Sequence, residues 1–284
     1  MIRLDAATVL LQWAVGGLLF LWVTTRRRQV GVGYGWLVRA TYLLMAVGAF
    51  VVGVWIDPVP VREASSLAVA VAASVALGVS VARRRAGVAG ERERFERRSA
   101  RVAAMTGIDR RPDGPDPGSP EFPPRLDLVA PLVGIPGLVA AGIAAGDPAL
   151  LSVVRVMVGA AFLGSISDGM LLGHWYLVQP GLARGPLLEM VRWTGVIWPF
   201  EVAVLLWPTG MGSVLSGTID DGYGGTLGWF WVACVVTTLG LVIVTRAALR
   251  ERYYSAVMAA TGLLYLAILT AFGTDLVARA VLAS

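Results

Sequence analysis

The sequence predicts an all-α polytopic membrane protein with eight transmembrane helices, and three observations support that fold class. Of the 284 residues, 56% are hydrophobic and only 15% are charged, whereas soluble domains carry about 25% charged residues. Eight apolar segments approach the roughly 20 residues that a helix needs to cross a bilayer. All 24 basic residues are arginine, and most lie in alternate loops. These features exclude a soluble domain, a disordered chain and a nucleic-acid-binding module.

The predicted spans are residues 6–24, 36–56, 65–82, 127–146, 149–178, 186–207, 226–246 and 253–276. The fifth span is longer than a straight crossing requires, so we expect it either to tilt or to break at Gly169 or Gly173. The residues before the first span are not strongly basic, and no small-residue cleavage site follows it. We therefore expect an uncleaved first span and not a removed signal peptide.

The arginines predict the orientation of the spans. Three follow span 1, eleven lie between spans 3 and 4, one follows span 5 and three follow span 7, so that 18 share one side. Arg3, Arg62 and Arg279 lie on the opposite side. The positive-inside rule then places both termini outside and the basic loops in the cytoplasm, where they would contact anionic lipid headgroups and not nucleic acid. The tryptophans near predicted span ends are typical of an interfacial belt, and they are Trp36, Trp55, Trp175, Trp207 and Trp229.

The long basic loop divides the chain into membrane spans 1–3 (1–82), a cytoplasmic segment (83–126) and spans 4–8 (127–284). Within the loop, 91–101 has charges of both signs at helical spacing. Residues 112–124 are rich in Pro, Gly and Asp, which predicts an irregular linker. The linker does not by itself require two domains.

An internal repeat is predicted when residues 1–147 are laid over 148–284. The sequence Val38-Arg39-Ala40-Thr41 of span 2 matches Val191-Arg192-Trp193-Thr194 of span 6, and each is followed by a Trp and then a Pro. Because each half has four spans, both halves share one orientation, which makes a parallel repeat of two four-helix bundles. This architecture is similar to that of quinol-interacting membrane subunits of the NrfD and polysulfide reductase type. The resemblance is architectural only, and no residue role is carried over.

Ionisable residues inside spans are costly and are usually paired or functional. They concentrate in spans 5 and 6, which a short loop joins into a hairpin. Matched depth predicts three couplings: Asp168 with Arg192, His174 with Glu189, and Arg155 with Glu201. These positions do not all share one helix face, so not every pair can form. The Asp168–Arg192 pair is the favoured one, as a structural pair or as a functional one.

Each of these residues also has a structural interpretation. His174 lies in an aromatic sequence typical of interfacial anchoring, with proton transfer or ligand binding as the alternative, and Glu189 is close enough to the interface to be solvated. Glu201 is deeper and follows Pro199, which should open the helix hydrogen bonds locally. It is therefore the favoured proton carrier. Ser165, Gly169 and Gly173 recur every four residues, which predicts close helix packing.

Other chemistry is not supported by motifs. The single His and single Cys argue against haem, metal-ion and disulfide sites that need two or more such ligands. The Gly-rich segment 208–225, with Asp220-Asp221, matches neither a phosphate loop nor an EF-hand, and we expect an ordinary flexible loop, with a lid as the minority alternative.

Three functions stay open. The first is a cofactor-free membrane subunit of a respiratory or redox complex, which contacts quinone, handles protons and works with partner subunits. The second is a small-solute or ion transporter or channel, in which Glu201, Asp168 and Arg192 line the path. The third is a membrane scaffold or assembly protein. The Ala-, Val-, Gly- and Arg-rich composition without Lys predicts a high-GC bacterial source, and hence the inner membrane.

Overall fold

The computed structural model describes residues 4–106, 116, 118–208 and 210–283, and in these ranges it is helical with no strand. Two 3-10 turns, Arg84–Ala86 and Pro124–Leu128, flank the long basic loop. The α-helices of the described chain are α1 (Ala6–Thr25), α2 (Val32–Ile56), α3 (Pro60–Ala82), α4 (Ala89–Thr106), α5 (Val129–Ala144), α6 (Ala149–Val178), α7 (Gly185–Leu206), α8 (Met211–Leu215), α9 (Thr226–Ala248) and α10 (Tyr254–Leu282).

Seven helical segments of the described chain are long and apolar enough to cross a membrane: α1, α2, α3, Pro124–Ala144, α6, α9 and α10. The polytopic helical class is therefore confirmed. The sixth predicted span corresponds to α7, which is 22 residues long but carries Glu189, Arg192 and Glu201. The crossing of α7, and with it the count of eight spans, stays a prediction.

Three helices extend beyond their predicted spans by about a helical turn or more. α2 begins at Val32, α3 begins at Pro60 and α10 continues to Leu282. In α3 and α10 the added turns carry charged residues, which lower the hydropathy that defined the spans. These charged residues are buried and paired within the protein. Arg62 pairs with Asp5 and Glu63, and Arg279 pairs with Asp275. The helices therefore continue through them.

The long helices pack as two groups of four. In the first group α1 contacts α2, α2 contacts α3, α3 contacts α5, and α5 returns to α1. In the second group α6 contacts α7, α7 contacts α9, α9 contacts α10, and α10 returns to α6. The two groups meet mainly where α1 and α5 lie against α6.

The closest approach between the groups is made by glycine. A Cβ atom on Gly16 of α1 would lie 1.8 Å from the carbonyl oxygen of Ala160, and a Cβ atom on Gly164 would lie 2.2 Å from the carbonyl carbon of Gly16. The predicted small-residue positions lie elsewhere on α6. Gly169 and Gly173 face Leu264 of α10 at ordinary or slightly tight distances.

α6 is one uninterrupted helix through Gly169 and Gly173, so the break expected as the alternative to a tilt is wrong. α7 also continues as a helix through Pro199 to Leu206. The expected local opening of its hydrogen bonds needs no interruption, because proline lacks the backbone N–H. In both helices the packing of a buried face maintains the helical path.

The loops that carry most of the arginines gather at one end of the bundle, called the basic end below. Arg26 forms a salt bridge with Glu189, and Arg28 forms one with Glu121. The guanidinium of Arg184 donates to the carbonyl oxygen of Tyr253 at 2.9 Å. At the opposite end Trp55, Trp207 and Trp229 are exposed, as an interfacial belt requires. Arg3 lies outside the described residues.

The predicted charged helix in the basic loop is confirmed. α4 covers the whole of 91–101, and Arg97 lies 3.4 Å from Glu93 at i,i+4 spacing. The predicted linker 112–124 lies partly outside the described residues, and its described part before Pro124 has no helix.

The loop before α9 is ordered by one carboxylate. Asp221 accepts hydrogen bonds from the backbone N–H groups of Tyr223, Gly225, Leu227 and Gly228 at 2.8–3.2 Å. These bonds cap the start of α9 and lower the pKa of Asp221, with the bond from Gly225 as the largest cause. Asp220 accepts a hydrogen bond from Gly222 N–H at 2.9 Å.

Candidate functional site

A set of polar side chains is completely buried near the opposite end, and we call it the buried charge cluster. Its members come from four helices, and each has 0% of its surface exposed. They are Gln12 of α1, Arg155 of α6, Glu201 of α7, and Asp275 and Arg279 of α10. At about 1.5 Å per residue they lie roughly 5–10 Å inside the helix ends, at the depth where α1, α6 and α10 meet.

Asp275 and Arg279 form the centre of the cluster. The Nε atom of Arg279 donates to Asp275 Oδ2 at 2.7 Å across one helical turn. The same guanidinium donates to the side-chain oxygen of Gln12. This contact joins the first group of helices to the second through side chains alone.

Arg155 and Glu201 complete the cluster. The Nε atom of Arg155 donates to the carbonyl oxygen of Val204 at 2.7 Å. Val204 lies about one helical turn after Glu201 in α7. Glu201 interacts electrostatically with Asp275, Arg279 and Arg155. The cluster therefore contains two potential anions and two cations that balance when all are ionised.

Four side-chain atoms on three residues of the cluster have no hydrogen-bond partner within the described chain. Both carboxylate oxygens of Glu201 lack a donor, Gln12 Nε2 lacks an acceptor, and Asp275 Oδ1 lacks a donor. A Cβ atom on Gly159 would lie 2.2 Å from Gln12 Nε2 and 3.1 Å from Asp275 Oδ1. An unpaired donor and an unpaired acceptor thus converge beside a glycine, which keeps the space between the helices free of a side chain.

A small cavity leads from the opposite end to Arg279. Its volume is about 20 Å³, which is room for roughly one water molecule. Arg62 on its wall forms ion pairs with Asp5 and with Glu63, the latter at 2.7 Å. The cavity is lined by charged groups together with small apolar side chains, and it is formed by Asp5, Thr8, Asp57, Val59, Arg62, Ala141, Ala144, Ala145, Val156 and Arg279.

The predicted proximity of Arg155 and Glu201 is supported, but the preferred pair is wrong. Asp168 is fully buried and accepts a 2.6 Å hydrogen bond from the hydroxyl of Tyr42, while its other oxygen has no partner in the described chain. Arg192 lies on the exposed side of α7. Equal depth brought the two residues to the same level, but they face in different directions around their helices.

The His174–Glu189 coupling is also wrong. Glu189 is satisfied by Arg26 and by Arg27, the latter at 3.4 Å. His174 is exposed, and its Nδ1 atom lies 3.0 Å from the hydroxyl of Tyr265 on α10. The histidine and the phenol together form a polar pair on the outer surface of the helices.

A second buried ion pair lies toward the basic end. Arg39 is 2% exposed, and its Nε and Nη2 atoms each donate to one oxygen of Asp127 at 2.8 Å. The guanidinium also packs on the ring of Phe122, 4.3 Å from its centroid. Both charges are matched in a bidentate arrangement, which is typical of a structural pair.

Sequence reasoning missed Gln12, Asp275 and Arg279 as site residues. Asp275 and Arg279 do carry a signal, since a carboxylate followed by an arginine four residues later can pair on one helix face. Gln12 carries none, because a single amide in an apolar span is equally compatible with any packing.

The cluster offers acid–base groups and hydrogen bonds. Within the described residues no group of three or more His, Cys, Asp or Glu side chains is placed to hold a metal ion. Comparisons with protein families, with characterised proteins and with solved structures give no match to this chain. The geometry of the buried groups is therefore the basis of the functional argument.

Proposed function

We propose that this chain is an integral membrane protein that transfers protons through the buried charge cluster. The observation that carries the proposal is Glu201, a fully buried carboxyl group with no hydrogen-bond donor on either oxygen in the described chain. A buried carboxylate without hydrogen-bond donors is costly, and its charged neighbours are Asp275, Arg279 and Arg155. Glu201 is therefore the group of the cluster that we expect to take up and release the proton.

The cavity at the opposite end supplies a route to the cluster. A water molecule in it would reach Arg279, whose partner Asp275 has one unpaired oxygen. Asp275 also interacts electrostatically with Glu201. A proton entering by the cavity would reach Glu201 through Asp275 with a water molecule as the bridge, because no direct hydrogen bond joins the two carboxyl groups in the described chain.

The setting that we favour is a cofactor-free membrane subunit of a respiratory or redox complex, with quinone as the electron carrier in the bilayer. Two four-helix groups, seven apolar helices and the exposed His174–Tyr265 pair support this setting. A ring nitrogen and a hydroxyl 3.0 Å apart offer the hydrogen bonds that a quinone headgroup takes. Partner subunits would bring the redox centres.

A second candidate function is transport of a small polar solute or ion. The observation that favours it is the unpaired donor of Gln12 and unpaired acceptor of Asp275 beside Gly159, which together could bind a solute. Under this alternative the two helix groups would move against one another. A scaffold or assembly role would need none of these unpaired groups.

We further propose that α7 crosses the membrane as the eighth span, that the basic end faces the cytoplasm of a bacterial inner membrane, and that the two helix groups are parallel repeats. The groups have the same cyclic order of neighbours, and α1 and α6 hold equivalent places. Arg192 can reach the interface by extending along the helix surface.

The test is proton flux in liposomes, with Glu201→Gln as the variant and Arg192→Gln as the control on the same helix. The protein is reconstituted with a pH-sensitive dye inside, and a potassium gradient with valinomycin sets the membrane potential. We expect flux from the wild type and from Arg192→Gln, and at least a tenfold loss in Glu201→Gln. No wild-type flux, or full flux in Glu201→Gln, would reject the proposal.

The setting is tested separately by purification from the native membrane in mild detergent. Co-purifying iron–sulfur or cytochrome subunits, with quinone-dependent flux, support the redox complex. A chain that purifies alone and shows flux only with a particular solute supports the transporter instead.

A further inference from the structure

A wide groove at the basic end lies outside the buried charge cluster, and we call it the arginine groove. It has a volume of about 670 Å³ and runs between α4 and the segment that follows α6. Four of its lining residues are arginines and only one is acidic. The lining consists of Glu91, Arg94, Phe95, Arg97, Arg98, Arg101, Val178, Gln179, Pro180 and Gly181.

The first two turns of α4 fix the groove to the helix bundle. Gly90 N–H donates to the carbonyl oxygen of Arg28 at 3.0 Å, and Arg94 Nη1 donates to the side-chain oxygen of Gln179 at 3.2 Å. Glu91 caps the start of α2 by accepting from Val32 N–H at 3.2 Å. Both walls of the groove are therefore attached to the ends of membrane-type helices.

The charge of the groove favours an anion. The Glu91 carboxylate is already engaged by the backbone N–H groups of Val32 and Val88, both at 3.2 Å. Arg97 is engaged by Glu93 alone within the described chain, since Nη2 lies 3.4 Å from the exposed carboxylate and Nε donates to the carbonyl oxygen at 3.4 Å. Within the described chain, no salt bridge forms at Arg98 or Arg101, and both side chains are exposed. Two guanidinium groups are thus available for a ligand.

The groove also adjoins apolar surface. Val178, the last residue of α6, is 60% exposed, and Phe95 and Pro180 line the groove beside the arginines. A small soluble anion has no apolar part that could contact this surface. A phospholipid carries a phosphate group next to its hydrocarbon chains, so it can contact the arginines and the apolar surface together. The chemistry matches a lipid that stands beside α6.

We propose that the arginine groove binds the phosphate headgroup of an anionic phospholipid whose acyl chains lie along α6. Arg98 and Arg101 bind the phosphate, and Val178 contacts the upper part of the acyl chains. Near an anionic membrane surface each arginine contributes about 1 kcal/mol, so removing two of them lowers affinity about 30-fold.

The test uses the full chain in detergent and measures lipid binding by native mass spectrometry and by thermal stabilisation. Phosphatidylglycerol is compared with phosphatidylcholine of the same acyl chains, and with inorganic phosphate. The variant is Arg98→Gln with Arg101→Gln. The control is Arg250→Gln with Arg252→Gln, which removes two exposed arginines from the same end of the bundle but outside the groove.

We expect phosphatidylglycerol to bind and stabilise the wild type and the control, and to bind the groove variant about 30-fold more weakly. Equal effects of the two lipids, an unchanged groove variant, or equal loss in the control would overturn the proposal. Stabilisation by inorganic phosphate alone would also overturn it, because the ligand would then be a soluble anion. If the double glutamine variant does not fold, the same comparison is made with Arg98→Gln alone, for which about a fivefold loss is expected.

Discussion

Replacing Gly16 by alanine tests the contact that joins the two helix groups. The added Cβ atom would lie 1.8 Å from the carbonyl oxygen of Ala160. Real Cβ contacts are not closer than about 3 Å, so α1 and α6 must separate by about 1 Å or more. The obstructing atom belongs to the backbone of a helix and cannot rotate away.

The expected loss of stability is large for one methyl group. Overpacking in a well-packed core costs about 1–3 kcal/mol, and a backbone obstruction places Gly16→Ala at the upper end of that range. The separation would also loosen Gly164, whose own Cβ position lies 2.2 Å from the carbonyl carbon of Gly16. The backbones of α1 and α6 are thus close at both Gly16 and Gly164, and a substitution at Gly16 disturbs the packing at both positions.

The assay is thermal melting of the detergent-solubilised chain, monitored by the fraction that stays monodisperse on size-exclusion chromatography. The matched control is Gly262→Ala in α10, where an added Cβ atom meets no heavy atom within 4 Å. Alanine is favoured over glycine in helices by up to about 1 kcal/mol, so the control should melt at or above the wild-type temperature. A Gly16→Ala variant that melts together with the control would refute the proposed packing of α1 on α6.

Three further perturbations have expected outcomes. Arg39→Gln leaves Asp127 buried without its bidentate partner and should destabilise the chain by about 3–5 kcal/mol, seen as a lower melting temperature; unchanged melting would show that the pair is absent. Tyr42→Phe removes the hydrogen bond to Asp168 and should cost about 1–3 kcal/mol, which chemical denaturation in detergent can measure against the wild type. Because folding lowers the pKa of Asp221, its stabilising effect is present above the unfolded pKa near 4 and is lost as the pH falls through the lower folded value; melting temperatures should therefore fall at acid pH, and less steeply in Asp221→Asn.

The sequence predicted the helices well, because hydropathy and length are properties of each segment alone. α6 was predicted at 149–178 and is observed over those residues. The same reasoning ended the last span at 276, since Arg279 lowers the hydropathy of the turn that follows. Arg279 is buried against Gln12, more than 260 residues away, and no local pattern contains that information.

The partners of buried charges were harder to predict than the charges themselves. Depth along the membrane can be counted from sequence at about 1.5 Å per residue, and it correctly brought Arg155 and Glu201 together. The direction that a side chain faces also depends on which helices are neighbours. Asp168 accepts a hydrogen bond from Tyr42 of α2 and does not pair with Arg192 of α7, because α2 and α6 approach each other at that level.

If the two halves are repeats, as we propose, their differences locate the chemistry. Arg39 of the first half is buried against Asp127, whereas Arg192, its counterpart by sequence, is exposed. Conversely, Gln12 and Arg155 are each the seventh residue of the first helix of their half, and both reach the buried charge cluster. The cluster thus lies where equivalent helices meet, and Glu201 is the only carboxyl group of the cluster that has neither an ion pair nor a hydrogen bond in the described chain.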